Sequence, residues 1–327
     1  MRGGNLERQS PPGQGPVLNH MTPYYSYGRY LREIFGEPVW RIPIDAGFSC
    51  PNRDGTLGCD GCLYCNNQGF SPGTRGARRS VAAQVGAAVA GHMARGRARK
   101  FIAYFQAFTN TYAPLDVLRA RYDEALAIPE VVGLAVGTRP DCVPEEVLDL
   151  IAGYTGRCLV WIEYGLQSAR DATLRRIGRG HDFAAFVDAV GCTRRRGIRV
   201  CAHVILGLPG EEWEDMIYTA QQLASLGVEG VKLHNLHVLA GSPLEESFRA
   251  GKLRLLTMDE YVALVCDVLE RMRPQTVVQR LVSSAPDPFL VAPPWCREKL
   301  LFLRKVREEF ARRGTVQGVR WVEQSGD

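Results

Sequence analysis

The chain has 327 residues, of which 46% are hydrophobic and 23% charged, and its formal net charge is +5. Those values fit an ordinary soluble globular protein with room for a barrel plus an appendage, or for two modest domains. No apolar run approaches the roughly 18 residues that a membrane span needs, and the mild positive charge permits an anionic partner without demanding one.

Residues 1–19 are polar, with Arg2, Arg8 and a PPGQGP stretch. A disordered tail is expected over 1–22; it holds no signal peptide, so a cytoplasmic location and no membrane partner are expected. From residue 38 onward, short apolar runs alternate with amphipathic segments. Strands are predicted at 39–46, 100–106, 131–138, 158–165, 200–206 and 231–238, each rich in β-formers. Helices are predicted at 114–127 and 144–152, both opening on proline, a common first helical residue. Two more follow at 182–196 and 211–226. The first puts Phe183, Phe186, Val187 and Val190 on one face, and the second Trp213, Ile217, Ala220 and Ala224, with Gly197 and Gly227 as stops.

Such alternation means a parallel sheet with right-handed crossovers, either a barrel or a doubly wound sheet. Unusual polar residues follow the C-terminal ends of the strands: Cys50 after the first, 106–111 after the second, Arg139 after the third, Gln167 after the fourth. A ring of such ends favours the barrel. Beyond Gly241 the alternation fades into helices at 258–272 and 296–313, with a short strand candidate at 276–282. The expected organisation is a barrel core over 23–245 and a C-terminal α/β extension over 246–327.

Four of the ten cysteines crowd into GFSCPNRDGTLGCDGCLYC at 47–65. In a reducing compartment, crowding of this kind points to metal ligation or redox chemistry rather than a disulfide framework. Cys62 and Cys65 form a CxxC pair, Cys59 forms a second with Cys62, and Cys50 lies upstream across a loop containing Gly55 and Gly58. A tight CxxC brings two thiolates to one centre, and a glycine-rich loop can bring a third from further away. On this segment alone, a four-iron cluster with three thiolate ligands stands beside a zinc ion closed by four, and beside no metal at all.

Further stretches occur in order: DAGFSCPNRDGT at 45–56, CLYC at 62–65, YFQAFTNTYAPL at 104–115, GTRPDC at 137–142, EYGLQS at 163–168, RGHD at 179–182, HVILGLPGE at 203–211 and KLHNLHVLAGSPL at 232–244. Together they resemble the YhcC-like family of bacterial radical S-adenosylmethionine (SAM) proteins, which is related to the catalytic subunit of Elongator. The resemblance covers 24–295. It implies a partial (β/α)6 TIM-like radical SAM barrel and a [4Fe–4S] cluster on Cys50, Cys62 and Cys65, with Cys59 standing where the family carries another residue. It also implies that Tyr64 lies beside the adenine of SAM, that Gln167 and His203 reach the ribose, and that Arg179 reaches the carboxylate.

Chemistry of the side chains extends this set, and each member has a structural alternative. Gln106, Thr109, Asn110 and Thr111 offer acceptors for an ammonium, or simply cap a loop before Pro114. Thr138 and Arg139 end the third strand; Arg139 suits a carboxylate or a structural salt bridge. Glu163 is a charge on an apolar strand and needs a partner. His203 is a ligand contact or a satisfied core histidine, and strand parity puts His234 and His237 on opposite faces. Basic clusters at 95–100, 194–196 and 297–313 are solvated helix faces or a nucleic-acid footprint.

The expected activity is reductive cleavage of SAM to a 5′-deoxyadenosyl radical that acts on an unassigned substrate, with RNA modification as one candidate. An external electron donor such as flavodoxin or ferredoxin is implied with it. The competing expectation is a zinc-stabilised, non-catalytic nucleic-acid-binding or scaffold protein. Substrate choice is expected to fall to 276–296, where Gln279-Arg280 leads through Ser283 and a proline-punctuated loop to Trp295.

Overall fold

The computed structural model describes residues 22–66 and 79–323. The expected tail over 1–22 lies, save for residue 22, outside the described residues. Strands β1 (Val39–Ile44), β2 (Lys100–Phe105), β3 (Val131–Thr138), β4 (Leu159–Gln167), β5 (Arg199–Leu206) and β6 (Gly230–Asn235) pair in parallel in chain order. A short antiparallel pair, β7 (Val238–Leu239) with β9 (Leu290–Ala292), stands apart. Strand β8 (Val277–Arg280) adds a seventh parallel strand beside β6, so the sheet curls into a half-barrel. The short strand candidate in the C-terminal extension is therefore part of the main sheet. It covers the edge that β6 would otherwise leave unpaired.

Helix α1 (Tyr27–Phe35) precedes β1, and α2 (Val81–Ala94), α3 (Leu115–Leu126) and α4 (Glu145–Ala152) cross to β2, β3 and β4. The short α5 (Asp171–Arg176) and α6 (Phe183–Arg195) lead to β5, and α7 (Trp213–Leu226) leads to β6. Then α8 (Pro243–Arg249) and α9 (Met258–Arg271) precede β8, and α10 (Lys299–Arg313) packs on α9. Local chemistry sets their ends. Asp182 accepts from the Ala185 N–H at the start of α6, Thr257 and Glu260 form a capping box on α9, and Gly227 ends α7 at φ 66°. Pro114 and Pro144 stand one residue before their helices, with ψ of 147° and 160°. They are caps in extended conformation rather than the first helical residues.

Strand alternation sends side chains to two cores. Outward residues such as Ile44, Phe105, Val136, Ile162, Ala202 and Leu233 pack under the helices. Inward residues form layers, because the parallel register sets Ala135 beside Trp161 and Cys201 beside Gly230. The lowest layer is apolar. Trp161 is fully buried with Ile102 and Cys201, and Tyr27 and Tyr30 of α1 plug that end, their rings 6.2 and 5.6 Å from the indole. Gly230 is obligatory here, since an added Cβ would lie 2.8 Å from the Trp161 ring. The next layer holds Arg41, Tyr104, Glu163, His203 and Lys232. Above it the barrel opens.

Trp161→Ala is expected to destabilise the fold by about 3–5 kcal/mol, the usual cost of truncating a buried tryptophan. Chemical denaturation followed by far-UV circular dichroism measures it; a loss under about 1 kcal/mol would mean that the layer collapses to fill the gap.

Candidate active site

At the C-terminal ends of the strands lies a cavity that all the proposed ligand residues line. Cys50, Cys62, Tyr64 and Cys65 come from the loop after β1, Gln106 from the end of β2, and Thr138 and Arg139 from the end of β3. Glu163 and Gln167 come from β4, Arg179 from the segment after α5, and His203 from β5. Cys59 is exposed and does not line the cavity.

The cysteine loop is tied by its own backbone. Arg53 and Asp54 N–H groups donate to Cys50 O, Gly61 to Asn52 O and Cys65 to Cys62 O. Asn52, which the sequence reading passed over, organises the centre. Its buried amide donates to Cys62 Sγ at 3.2 Å and to Gly178 O at 2.8 Å. Its place two residues after Cys50, inside a loop otherwise built for turns, was the available signal. Arg179 donates from Nε and Nη2 to Gly165 O at 3.0 and 2.7 Å and sets Nη1 3.7 Å from Cys62 Sγ. Burial alone would raise the Cys62 thiol, but the Arg179 charge and hydrogen bonds from Asn52 and Tyr64 hold it below the usual thiol range. Burial pushes Cys65 up, against the opposing charge of Arg53. Gly165 has no room for a side chain: a Cβ would meet Arg179 Nη2 at 2.6 Å.

On the neighbouring wall, Arg139 grips Asp141 through Nε and Nη2 at 2.9 and 2.7 Å, which is the structural salt bridge considered above. Its Nη1 is buried without a hydrogen-bond partner among the described residues. Thr109 lines the cavity, but Asn110 and Thr111 do not: Asn110 Nδ2 donates to Phe105 O and Gly137 O, its Oδ1 being buried without a partner among the described residues, and Thr111 is held by Thr138 and Cys142 O. Phe108 and Gln167 take φ of 64° and 77°, the only left-handed non-glycine residues among those described, and both line the cavity. Strain of that kind concentrates at functional sites.

Glu163 forms the floor. Its side chain is fully buried and is held by Arg41 of β1, Lys232 of β6 and His203 of β5, the last at 2.9 Å. Burial would raise its carboxyl, yet Arg41 and Lys232 hold it well below the usual range. Burial, then Arg41, brings Lys232 down to about 7 against the pull of Glu163, and burial, then Lys232, brings His203 down to about 4. Arg41 also donates to Gln279 at 2.7 Å. Arg41 and Lys232 were missed from the sequence, although each is a charge on an apolar strand, the same signal that marked Glu163.

The parity expectation for His234 and His237 fails. Strand β6 ends at Asn235, so alternation does not reach His237, and both histidines line the cavity. In 276–296, Arg280 and Ser283 line it as well. Trp295 does not: it stacks on Phe302 and donates to Leu256 O at 3.0 Å, a packing role rather than a closing one. Ion pairs take up much of the 194–196 and 297–313 clusters, as in Arg194–Glu229, Arg196–Asp149 and Lys305–Asp259, whereas in 95–100 only Lys100 is ion-paired among the described residues, to Glu37. No helix among the described residues is long and apolar enough to cross a membrane.

Residues 50–223 match the model of the radical SAM superfamily, and 228–312 match that of the radical SAM C-terminal domain. The chain is 40% identical to YtqA of Bacillus subtilis (strain 168), over 93% of this chain and 94% of that protein. It is 39% identical to YhcC of Escherichia coli (strain K12), over 90% and 96%. The fold superposes on archaeal Methanocaldococcus infernus Elp3 with a TM-score of 0.65 at 16% identity, over 85% of this chain and 64% of that one.

Glu163→Ala leaves Arg41 and Lys232 buried without their carboxylate. It is expected to cost about 3–5 kcal/mol, as breaking a buried ion pair from one side does. Urea titration of the variant checks this, and near-wild-type stability would show that water or another acid compensates the two cations.

Proposed function

The chain belongs to the radical SAM superfamily of enzymes, and on that premise we propose that Cys50, Cys62 and Cys65 hold a [4Fe–4S] cluster with SAM bound beside it. The carrying observation is that these three thiols open on one cavity whose wall bears Arg139, Gln167 and Arg179. The donor set fits. Thiolates are the usual ligands of iron–sulfur clusters, and Asn52 and Arg179 on Cys62 Sγ are the outer hydrogen bonds that steady a bound thiolate. When bound and reduced, the cluster supplies the electron that splits the S–C5′ bond of SAM, and the resulting 5′-deoxyadenosyl radical takes hydrogen from a substrate.

The chain's own residues bind and orient. In this reading Tyr64 covers the adenine, and Gln167 and His203 meet the ribose. Arg179 and the Nη1 of Arg139, which has no hydrogen-bond partner among the described residues, receive the SAM carboxylate, while Gln106 and Thr138 meet its ammonium. Glu163 acts through His203, whose Nε2 it holds. The electron comes from an external donor such as flavodoxin or ferredoxin. The substrate stays unassigned; likeness to the Elongator subunit makes RNA modification one candidate.

Anaerobic reconstitution with iron and sulfide, followed by SAM and dithionite, is expected to yield 5′-deoxyadenosine; none forming from a brown, iron-loaded protein would overturn the proposal. Replacing Cys50, Cys62 or Cys65 by alanine is expected to abolish the visible absorbance and bound iron, while Cys59→Ala retains most iron. Equal loss in the Cys59 variant would sink the three-ligand assignment. Gln167→Ala is expected to weaken SAM binding by roughly 1–3 kcal/mol with the cluster intact, and Arg179→Ala to weaken it similarly while also lowering bound iron, because Arg179 steadies Cys62 as well. Calorimetric titration reads this, and unchanged affinity in both would put SAM elsewhere.

A further inference from the structure

We propose that the end of the cavity bounded by His203, His234 and Arg280 binds an oxyanion of the substrate, a carboxylate or a phosphate. The inference rests on the cavity being the active site as proposed above. It uses strands β5, β6 and β8, whereas the proposed cluster and most of the SAM contacts come from β1 to β4 and their loops.

The backbone directs an arginine there. Pairing of β8 with β6 slips by one residue: Val278 lies beside Val231, but Arg280 beside Lys232. The extra residue is Gln279. A bulge of this kind lets consecutive side chains reach the same side. Gln279 accepts from Arg41 in the layer below, and Arg280 lines the cavity. Arg280 is exposed, and among the described residues no carboxylate pairs with it within the 4.0 Å of an ion pair.

Charge at this end is unbalanced. Glu163 is the sole carboxylate lining the cavity among the described residues, and two cations, Arg41 and Lys232, already share it. Arg280 adds a third. Burial first, and then the Arg280 charge, holds His234 well below the ordinary histidine range, so its ring is neutral. His234 Nε2 is buried without a hydrogen-bond partner among the described residues, and its ring lies 5.4 Å from that of His203. A buried polar atom left unpaired asks for a ligand group. A guanidinium fork beside a neutral imidazole suits an oxyanion, and the incoming charge offsets the cation excess. A cationic substrate group would instead meet repulsion from three sides.

The test uses full-length, reconstituted protein with SAM bound, titrated calorimetrically with acetate and with inorganic phosphate at fixed ionic strength. At least one of the two is expected to bind saturably, and roughly tenfold more weakly in Arg280→Gln, with SAM affinity unchanged. The stronger ligand tells carboxylate from phosphate. His234→Phe, which keeps an aromatic ring there and removes both ring nitrogens, is expected to weaken the same anion. Saturation by neither anion, or equal affinity in wild type and Arg280→Gln, overturns the proposal. Loss of SAM binding in Arg280→Gln overturns it too, by assigning the arginine to the cofactor. Failure of the cluster and SAM assignment would show separately, as wild-type protein that binds no SAM, and the anion titrations remain readable on that protein.

Discussion

Burying the Glu163 carboxylate is permissible only while Arg41 and Lys232 reach it, and that requirement shapes the sheet. The three residues sit on β4, β1 and β6, and His203 on β5 completes the ring. Desolvating one carboxylate and two cations costs several kcal/mol per ion, which only close mutual contact offsets. Strands β1 and β6 lie five places apart in the sheet order, so their side chains meet at Glu163 only if the sheet curls. Arg41 then extends the tie to Gln279, joining the two edge strands β1 and β8 through side chains where no backbone ladder connects them. Curvature and charge pairing are one condition.

What lies on either side of that layer follows from side-chain size. Below it, Trp161, Tyr27 and Tyr30 fill the interior and shut out water. Above it, β3 and β4 turn small residues inward. Gly137 has the Phe105 carbonyl 3.1 Å from where a Cβ would stand, and Gly165 leaves its space to Arg179. The cavity exists because these positions carry no side chain. It is polar because the strands end there, and the loops that follow supply Cys50, Thr138, Arg139 and Gln167. A packed floor with an open top is the arrangement of a barrel enzyme.

Much of this was legible before any coordinates. Apolar runs located five strands to within two residues at each end and overran the sixth by three, since β-formers between turn signals leave few alternatives. The cysteine loop and the ordered stretches around it contain most of the cavity-lining residues, with Arg280 and Ser283 outside them. The pairings were not legible. Arg41 and Glu163 are separated by 122 positions and Lys232 and Glu163 by 69, and nothing local says that three isolated charges share one layer. The strand candidate at 276–282 was assigned to the C-terminal extension because it follows a fading pattern; as β8 it pairs with the open edge of β6. The histidine parity failed for a local reason, the end of β6 at Asn235, which periodicity does not report.

The same cavity has two electrostatic ends, and different strands build them. At the cysteine end, Arg179 and Arg53 stand beside sulfur, and Asp141 already occupies two of the Arg139 nitrogens. Three guanidiniums there, Arg53, Arg139 and Arg179, face one carboxylate, Asp141, among the described residues, so this end also takes an anion, the proposed SAM carboxylate. At the β5–β6–β8 end, one carboxylate answers three cations, and both histidines are driven neutral by burial and by those cations. A neutral imidazole beside an unmatched guanidinium is polar without being acidic, so it holds an anion without giving it a proton. With the proposed SAM carboxylate on Arg139 and Arg179, a second molecule carrying a negative group is favoured with its charge at Arg280 and the remainder directed toward the sulfur side. Orientation of that kind is what a reaction between two bound molecules requires, and here it arises from where the chain places its few buried charges.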